Sequence, residues 1–433
     1  MSAKKALSLL AILCILALVG LAAGTTRAAS PLYNVFLISD QAADITHSAI
    51  AYNTQEHNYL VVWCHQQVGS TAVYARTVSE KGQLGSVYTV SDTTGDADRC
   101  YPDVAYASKH NRYLVVWQQQ QVGTTNFTVH GRLFHPGTYL GSDITFSDLA
   151  SSASTPPAVD YAYTSDEFLV VWAFWGAGVN SSIISQRINP DGLKYGNNIT
   201  IIQGHDSISA YDPDLAYNLA REEYLVAFTR LDTNTPGGPN LDIFGWRLTH
   251  DQLKQGSELE ISYLTPNELH PSVAALPTIY PENGRYMVAY QTDFYDTSHN
   301  YIDSDIWGQI VSGDGTLMFP GAYFVIQGTE SHETMPAIAS SQTSQDFLVT
   351  WNNAYPPDYV FNSIIARTVK MNGTLQAANL LGGFFAGNSS VAAGRGGDYL
   401  GAADDVTLFG NRDLYGVLLG NRIYLPQLYK PTP

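Results

Sequence analysis

The sequence predicts an all-β fold: a seven-bladed β-propeller of four-stranded antiparallel blades, closed by an N-terminal strand. Three observations predict it. An aromatic and apolar pentad returns seven times, as Tyr59-Leu-Val-Val-Trp63, Tyr113-Leu-Val-Val-Trp117, Phe168-Leu-Val-Val-Trp172, Tyr224-Leu-Val-Ala-Phe228, Tyr286-Met-Val-Ala-Tyr290, Phe347-Leu-Val-Thr-Trp351 and a degraded Tyr399-Leu-Gly-Ala-Ala403. The copies are 52 to 62 residues apart, a length that suits four short strands and their turns. The composition agrees, with 12% aromatic residues, 28 Tyr, 36 Gly and 20 Pro among 433 residues, which favours strands and frequent turns over long helices.

Each copy follows one order. A short first strand comes before the pentad: Ser48 to Tyr52, Pro102 to Tyr106, Pro157 to Tyr161, Pro213 to Tyr217, Pro271 to Ala275, Pro336 to Ser340 and Ser389 to Ala393. The pentad is the second strand, apolar on both faces and so expected between layers. The third strand carries Arg76, Arg132, Arg187, Arg247 or Arg367, with Ile310 and Leu418 in the other two copies. These arginines recur beside the same turn, which predicts a repeated bond to a neighbouring carbonyl or carboxylate. Turn pairs such as Lys81-Gly82, Asp191-Gly192 and Asp314-Gly315 tolerate positive φ and connect to a fourth strand. Residues Tyr33 to Ser39 resemble a fourth strand with no preceding three, while the seventh copy ends after its third strand at Leu419. Pairing the two removes exposed edges.

Residues 1–29 have the form of a signal peptide, with Lys4 and Lys5 before the apolar run Ala6 to Ala23 and small residues after it. A retained membrane anchor is the alternative. The expected organisation is therefore signal peptide 1–29, propeller 30–420 and tail 421–433, with the product secreted or on the cell surface and no membrane span once the signal is removed. The formal net charge of −17 argues against nucleic acid and other anionic partners. After export two cysteines remain, Cys64 and Cys100. Cys64 follows the second strand of copy one and Cys100 precedes the first strand of copy two, so both reach one face in adjacent blades and a disulfide is expected.

The repeats Pro-x-Val-Ala-Tyr, Tyr-Leu-Val-Val-Trp and Asp-Gly-x-Leu resemble those of a group of exported bacterial proteins treated as β-propellers. The resemblance covers nearly the whole chain after the signal and implies the same fold. The tail Arg422-Ile-Tyr-Leu-Pro426 is similar to a signature near the ends of some exported bacterial proteins. Neither likeness implies a catalytic residue.

Departures from the repeat point to function, because packing does not require them. From the pentad's last residue to the Arg position the spacing is 13 to 16 residues, but 19 and 20 in copies four and five. Long loops are expected there, on the cysteine face, holding Asp232, Asn234, Asn240 and Asp242, then Asp293, Phe294, Tyr295, Asp296, His299, Tyr301, Asp303 and Asp305. Carboxylates interleaved with aromatics suit a sugar or an oxygen-liganded Ca²⁺. No EF-hand loop is intact, and no cofactor is expected beyond that weak Ca²⁺ signal. Residues just before the first strands are expected to rim the central channel: His47, Tyr101, Pro156, Asp212, His270, Met335 and Asn388. No Gly-x-Ser-x-Gly or His-Glu-x-x-His motif is present. The expected function is a monomeric, non-catalytic propeller that binds an extracellular glycan or protein through the cysteine face. Two alternatives stay open: a polysaccharide hydrolase or lyase using His47, His270 and Asp212, or Asp293 or Asp305, and a structural surface protein held through its tail.

Overall fold

The repeated pentads form the second strand of each of seven antiparallel sheets. In this computed structural model the described residues are 34–420 apart from 40–43, 68–69, 92–98, 122, 125, 140, 148–151, 154–155, 176–179, 236–237, 281–283, 321–322, 342, 356–361, 383–385 and 407–411. The expected signal peptide, Tyr33 and the tail lie outside them. Blade 1 illustrates the order, with strands Asp44–Asn53, Asn58–Gln67, Ser70–Ser79 and Leu84–Thr89 side by side. Among the described residues the one helical element is a 3-10 turn at Arg395–Gly397, and no helix is long and apolar enough to cross a membrane.

The core lies between blades rather than within them. Each apolar cluster draws on two neighbouring sheets, as when Trp172 of blade 3 packs with Leu114, Val116 and Phe146 of blade 2. Clusters of this kind fill all seven blade interfaces, including that between blade 7 and blade 1. The pentad is apolar on both faces because each sheet is covered on both sides. Trp63, Trp117, Trp172, Phe228, Tyr290 and Trp351 are buried, and truncating such a side chain to Ala costs about 3–5 kcal/mol.

The ring closes on the N-terminal strand. Asn34–Ser39 pairs antiparallel with Arg412–Leu419, from Asn34 opposite Leu418 to Ser39 opposite Leu414. It takes the place of a fourth strand in side-chain detail as well. In blades 2, 4 and 5 a third-strand glycine lies beneath a large side chain: Gly131 under Phe146, Gly245 under Ile261 and Gly308 under Ile326. In blade 7, Phe36 and Ile38 lie over Gly416, where an added Cβ would stand 2.8 Å from Phe36 Cζ.

The third-strand arginines bond as their repetition implies. Arg76 donates to Ile38 O of the closing strand, Arg132 to Val90 O of blade 1 at 2.8 Å, and Arg367 to Ile326 O of blade 5. Arg187 and Arg247 pair with Glu167 (2.7 Å) and Glu223 (3.2 Å). Cys64 and Cys100 are joined in a disulfide that ties blade 1 to blade 2.

Two outcomes are expected. Gly416→Val should lower the unfolding free energy by about 1–3 kcal/mol through overpacking against Phe36, and urea denaturation should show the loss in one transition of the whole ring. Reducing the disulfide, whose cysteines are 36 residues apart, should cost roughly 4 kcal/mol on the chain-entropy estimate, read as a lower thermal midpoint in reductant.

Candidate functional site

The first strands form the inner ring, each contacting those of the adjacent blades all the way round. Each is hydrogen-bonded within its sheet on one side only, so the other edge presents backbone N–H groups toward the axis. Three aspartates serve those donors. Asp103 accepts from Val159 N–H of the next blade, Asp160 from Tyr217 and Asp214 from Val273, all at 2.7 Å. Each also accepts the N–H of its own following residue. Burial, and then the charge of Asp214, push the Asp103 carboxyl up to about 7, while burial raises Asp160 and Asp214 to about 6.

The first strands begin earlier than the Pro-x-Val-Ala-Tyr motif implies, and each long one bulges just ahead of it. In blade 2, Cys100 pairs with Gln118 and Asp103 with Val116, so three steps on the first strand face two on its partner. The same count separates Tyr211 from Asp214, Leu269 from Ser272 and Thr334 from Ala337. Proline fits there because it has no N–H to contribute to the interrupted ladder. The residue before it turns left-handed: Tyr101 (φ 54), Asp212 (φ 45), His270 (φ 52) and Met335 (φ 52), with His47 (φ 49) at the bulge of blade 1. Five of the expected rim residues thus sit inside the first strands at left-handed bulges, Asn388 lies at the bulge of blade 7, and Pro156 precedes the strand Ala158–Ala162.

They form two separate groups. Around the disulfide, the His47 and Tyr101 rings lie 4.0 Å apart and His47 Nδ1 is 3.7 Å from Cys100 Sγ. Burial, then the Arg412 charge, lower the His47 imidazole to about 4, so it is neutral at pH 7. Between blades 4 and 5, His270 Nδ1 is 3.0 Å from Asp212 Oδ2. His47 therefore belongs to a different group from the Asp212–His270 pair.

Beside that pair is a cavity of about 410 Å³ lined by Tyr211, Asp212, Thr229, Leu231, Pro239, Leu241, Asn267 and Leu269. It opens on the cysteine face, where the second strands end. Trp175, well exposed at the end of blade 3's second strand, meets the Tyr211 ring edge to face at 5.6 Å. The Thr229 hydroxyl is buried and has no hydrogen-bond partner in the protein. Apolar walls with a few convergent polar groups are the usual make-up of a small-ligand cleft.

The long loop expected in copy five is mostly extended strand, Arg285–Tyr295 running into Tyr301–Ser312, so there the added residues prolong the hairpin ladder to Tyr295 opposite Tyr301. In copy four the strands Glu223–Asp232 and Asn240–Thr249 are as long as those of blade 1, and the added residues fall in the connection 233–239. Asp232 and Asp242 lie on blade 4's strands, Asp232 half-buried and Asp242 buried. Asp293 is also buried; it accepts from Gln291 Nε2 at 2.7 Å, and burial raises its carboxyl. Asp296 is spent within the turn, accepting from Ser298 N–H, Asn300 N–H and Asn300 Nδ2, and His299 takes φ 63 beside it. Tyr295 is exposed and meets Tyr301 at 5.9 Å, which in turn meets His332 at 4.9 Å. Among the described residues no group of three or more His, Cys, Asp or Glu converges as a metal site would.

Trp175, Tyr211, Thr229 and Asn267 were not singled out from the sequence. Trp175 carried a usable signal: it stands three residues beyond the pentad's Trp172, where no other copy has Trp.

Comparison with protein-family models and with curated proteins returns no match. Among solved structures the chain is similar to polysaccharide lyase Uly1, with 10% identity and a TM-score of 0.54 over 93% of this chain and 94% of the lyase. It is similar to a protein of unknown function from Dyadobacter fermentans (9%, TM-score 0.52, 92% and 99% covered). A third likeness is to the GH93 α-L-arabinofuranosidase of Fusarium graminearum in complex with arabinobiose (12%, TM-score 0.50, 79% and 98% covered). At these identities the likenesses establish the fold.

The inner aspartates generate a pH dependence. Their carboxyls titrate higher in the folded protein than in the unfolded chain, so the stability they contribute is full below about pH 4 and is lost as pH rises through 6 to 7. Urea unfolding from pH 8 to 5 should therefore show the wild type gaining stability relative to Asp103→Asn as pH falls. A constant difference would contradict the assignment.

Proposed function

We propose that this protein is an exported propeller that captures an extracellular glycan on its cysteine face, in the cleft between blades 4 and 5. The observation that carries the reading is the cavity itself. Tyr211 and Trp175 offer faces for the apolar side of a sugar ring, while Asp212, Asn267 and the unpartnered Thr229 hydroxyl suit its hydroxyl groups. Two proteins of the same fold, a polysaccharide lyase and an arabinofuranosidase holding arabinobiose, act on glycans by name. A disulfide and a signal-like N-terminus support export.

One observation favours a second reading, catalysis. The Asp212–His270 pair beside the cleft has the geometry by which a carboxylate orients an imidazole as a proton acceptor. Binding and turnover separate experimentally.

A glycan array followed by calorimetry on the best ligand tests both. Trp175→Ala and Asp212→Asn should each weaken capture at least tenfold, with the thermal midpoint nearly unchanged for Trp175→Ala because that side chain is exposed. Asp191→Ala, on the opposite face, should leave capture intact. Release of new sugar ends by wild type but not by His270→Gln would decide for catalysis. Capture that survives both cleft variants would place the ligand elsewhere.

A further inference from the structure

A second cavity, of about 370 Å³, lies between blades 3 and 4 on the face opposite the disulfide, and its walls include Glu167, Arg187, Tyr195, Tyr217, Glu222 and His250. Glu222 stands in the turn between the first and second strands of blade 4, His250 in the turn between the third and fourth, and Arg187 on the third strand of blade 3. The cavity therefore runs outward from the inner ring, with Glu222 at its inner end and Arg187 and His250 at its outer end.

Arg187 departs from the arginines of its repeat. Arg132 and Arg367 donate Nη1 to a carbonyl of the preceding blade. In blade 3 the corresponding acceptor, Phe146 O, is taken by Asn198 Nδ2 at 3.2 Å, and Arg187 turns to this face instead. Its Nε and Nη2 both donate to Glu167 Oε2, at 3.0 and 2.7 Å, and Glu167 Oε1 lies 3.3 Å from His250 Nδ1. Glu167 is 1% exposed, so a buried carboxylate fixes the guanidinium. Arg187 Nη1 bonds to nothing among the described residues. Arg247 makes the same turn in blade 4, but there Glu223 and the Gly313 carbonyl of blade 5 both take its Nη1.

Glu222 departs as well. In blades 2 and 3 the tyrosine of the first-strand motif bonds to the turn residue after it, Tyr106 to Asn111 at 3.0 Å and Tyr161 to Asp166 at 2.5 Å. Tyr217 instead turns its hydroxyl to the Thr164 side chain of blade 3. Glu222 is exposed and makes no hydrogen bond or ion pair among the described residues. Glu167 offsets the charge of Arg187, so the cavity keeps one unmatched carboxylate at its inner end and one free pair of N–H donors at its outer end. The exposed Tyr195 ring, 5.3 Å from the guanidinium, walls the outer end. A neutral polyol would leave Glu222 unmatched, an anion would be repelled by it, and a diamine would leave the Arg187 donors unserved. A molecule that carries both an ammonium and a carboxylate serves both ends.

We infer that this cavity is a second binding site, for a small zwitterion of the amino-acid or dipeptide class, whose ammonium meets Glu222 and whose carboxylate meets Arg187 Nη1. The site lies across the ring from the glycan cleft and does not rest on that reading.

Calorimetric titration of the full chain at pH 7 and low salt, with each free L-amino acid and with glycylglycine, tests it. At least one should bind saturably, and its N-acetyl and C-amide forms, each lacking one charge, should bind at least tenfold more weakly. Glu222→Gln changes an exposed side chain and should fold, yet bind the same compound at least tenfold more weakly. Trp175→Ala, on the other face, should bind it as wild type does. No binding by any of these compounds, blocked forms that bind as well as the free one, wild-type affinity in Glu222→Gln, or an equal loss in Trp175→Ala would each overturn the assignment.

Discussion

Seven first strands stand around one axis, each bonded within its sheet on one side only, and the inner ring must satisfy the edge that remains. An orphaned backbone N–H away from water costs as much as a lost hydrogen bond. The protein answers with carboxylates from the preceding blade: Asp103, Asp160 and Asp214 accept the inward N–H groups of Val159, Tyr217 and Val273. The bonds hold neighbouring blades in register, and the price is three carboxyls crowded into a narrow space. The bulges follow from the same geometry. At each one the ladder is interrupted, and in blades 2, 4, 5 and 6 a left-handed residue followed by proline stands there. Rim chemistry is thus available at almost every blade without disturbing the sheets.

What distinguishes blades 4 and 5 is the use made of that freedom. Their strands carry carboxylates into the interfaces rather than out into solvent. Asp242, Glu268 and Asp293 are buried, whereas blades 1 to 3 place smaller or neutral groups at several of the equivalent positions. The cleft opens at the same interface, so buried carboxylates and the cleft share one seam.

Architecture was legible in the sequence because packing repeats. The pentads, the recurring third-strand arginines and the orphan strand ending at Ser39 each follow from a blade plan that buries both faces of every sheet and leaves no edge. The cysteine pairing was legible once strand direction was known. The site was less so. Length alone suggested loops after Phe228 and Tyr290, but residues such as Leu231, Leu241 and Ile306 could equally prolong a ladder, and they do. Whether Asp296 faces a ligand or closes its own turn depends on Asn300 and the positive φ at His299, which spacing does not reveal. Trp175 and Tyr211 come together from different blades, and no local pattern connects them.

Blade 7 is assembled from both ends of the chain, since Asn34–Ser39 pairs with Arg412–Leu419. Its sheet cannot be completed until the last blade has emerged from the ribosome. Blades 1 and 2, by contrast, can dock as soon as they are made, and their disulfide joins residues only 36 apart. Contacts between chain ends are the slowest to form, so the newly made polypeptide stays open for the whole of its synthesis. The closed ring therefore forms only after the final repeat has arrived.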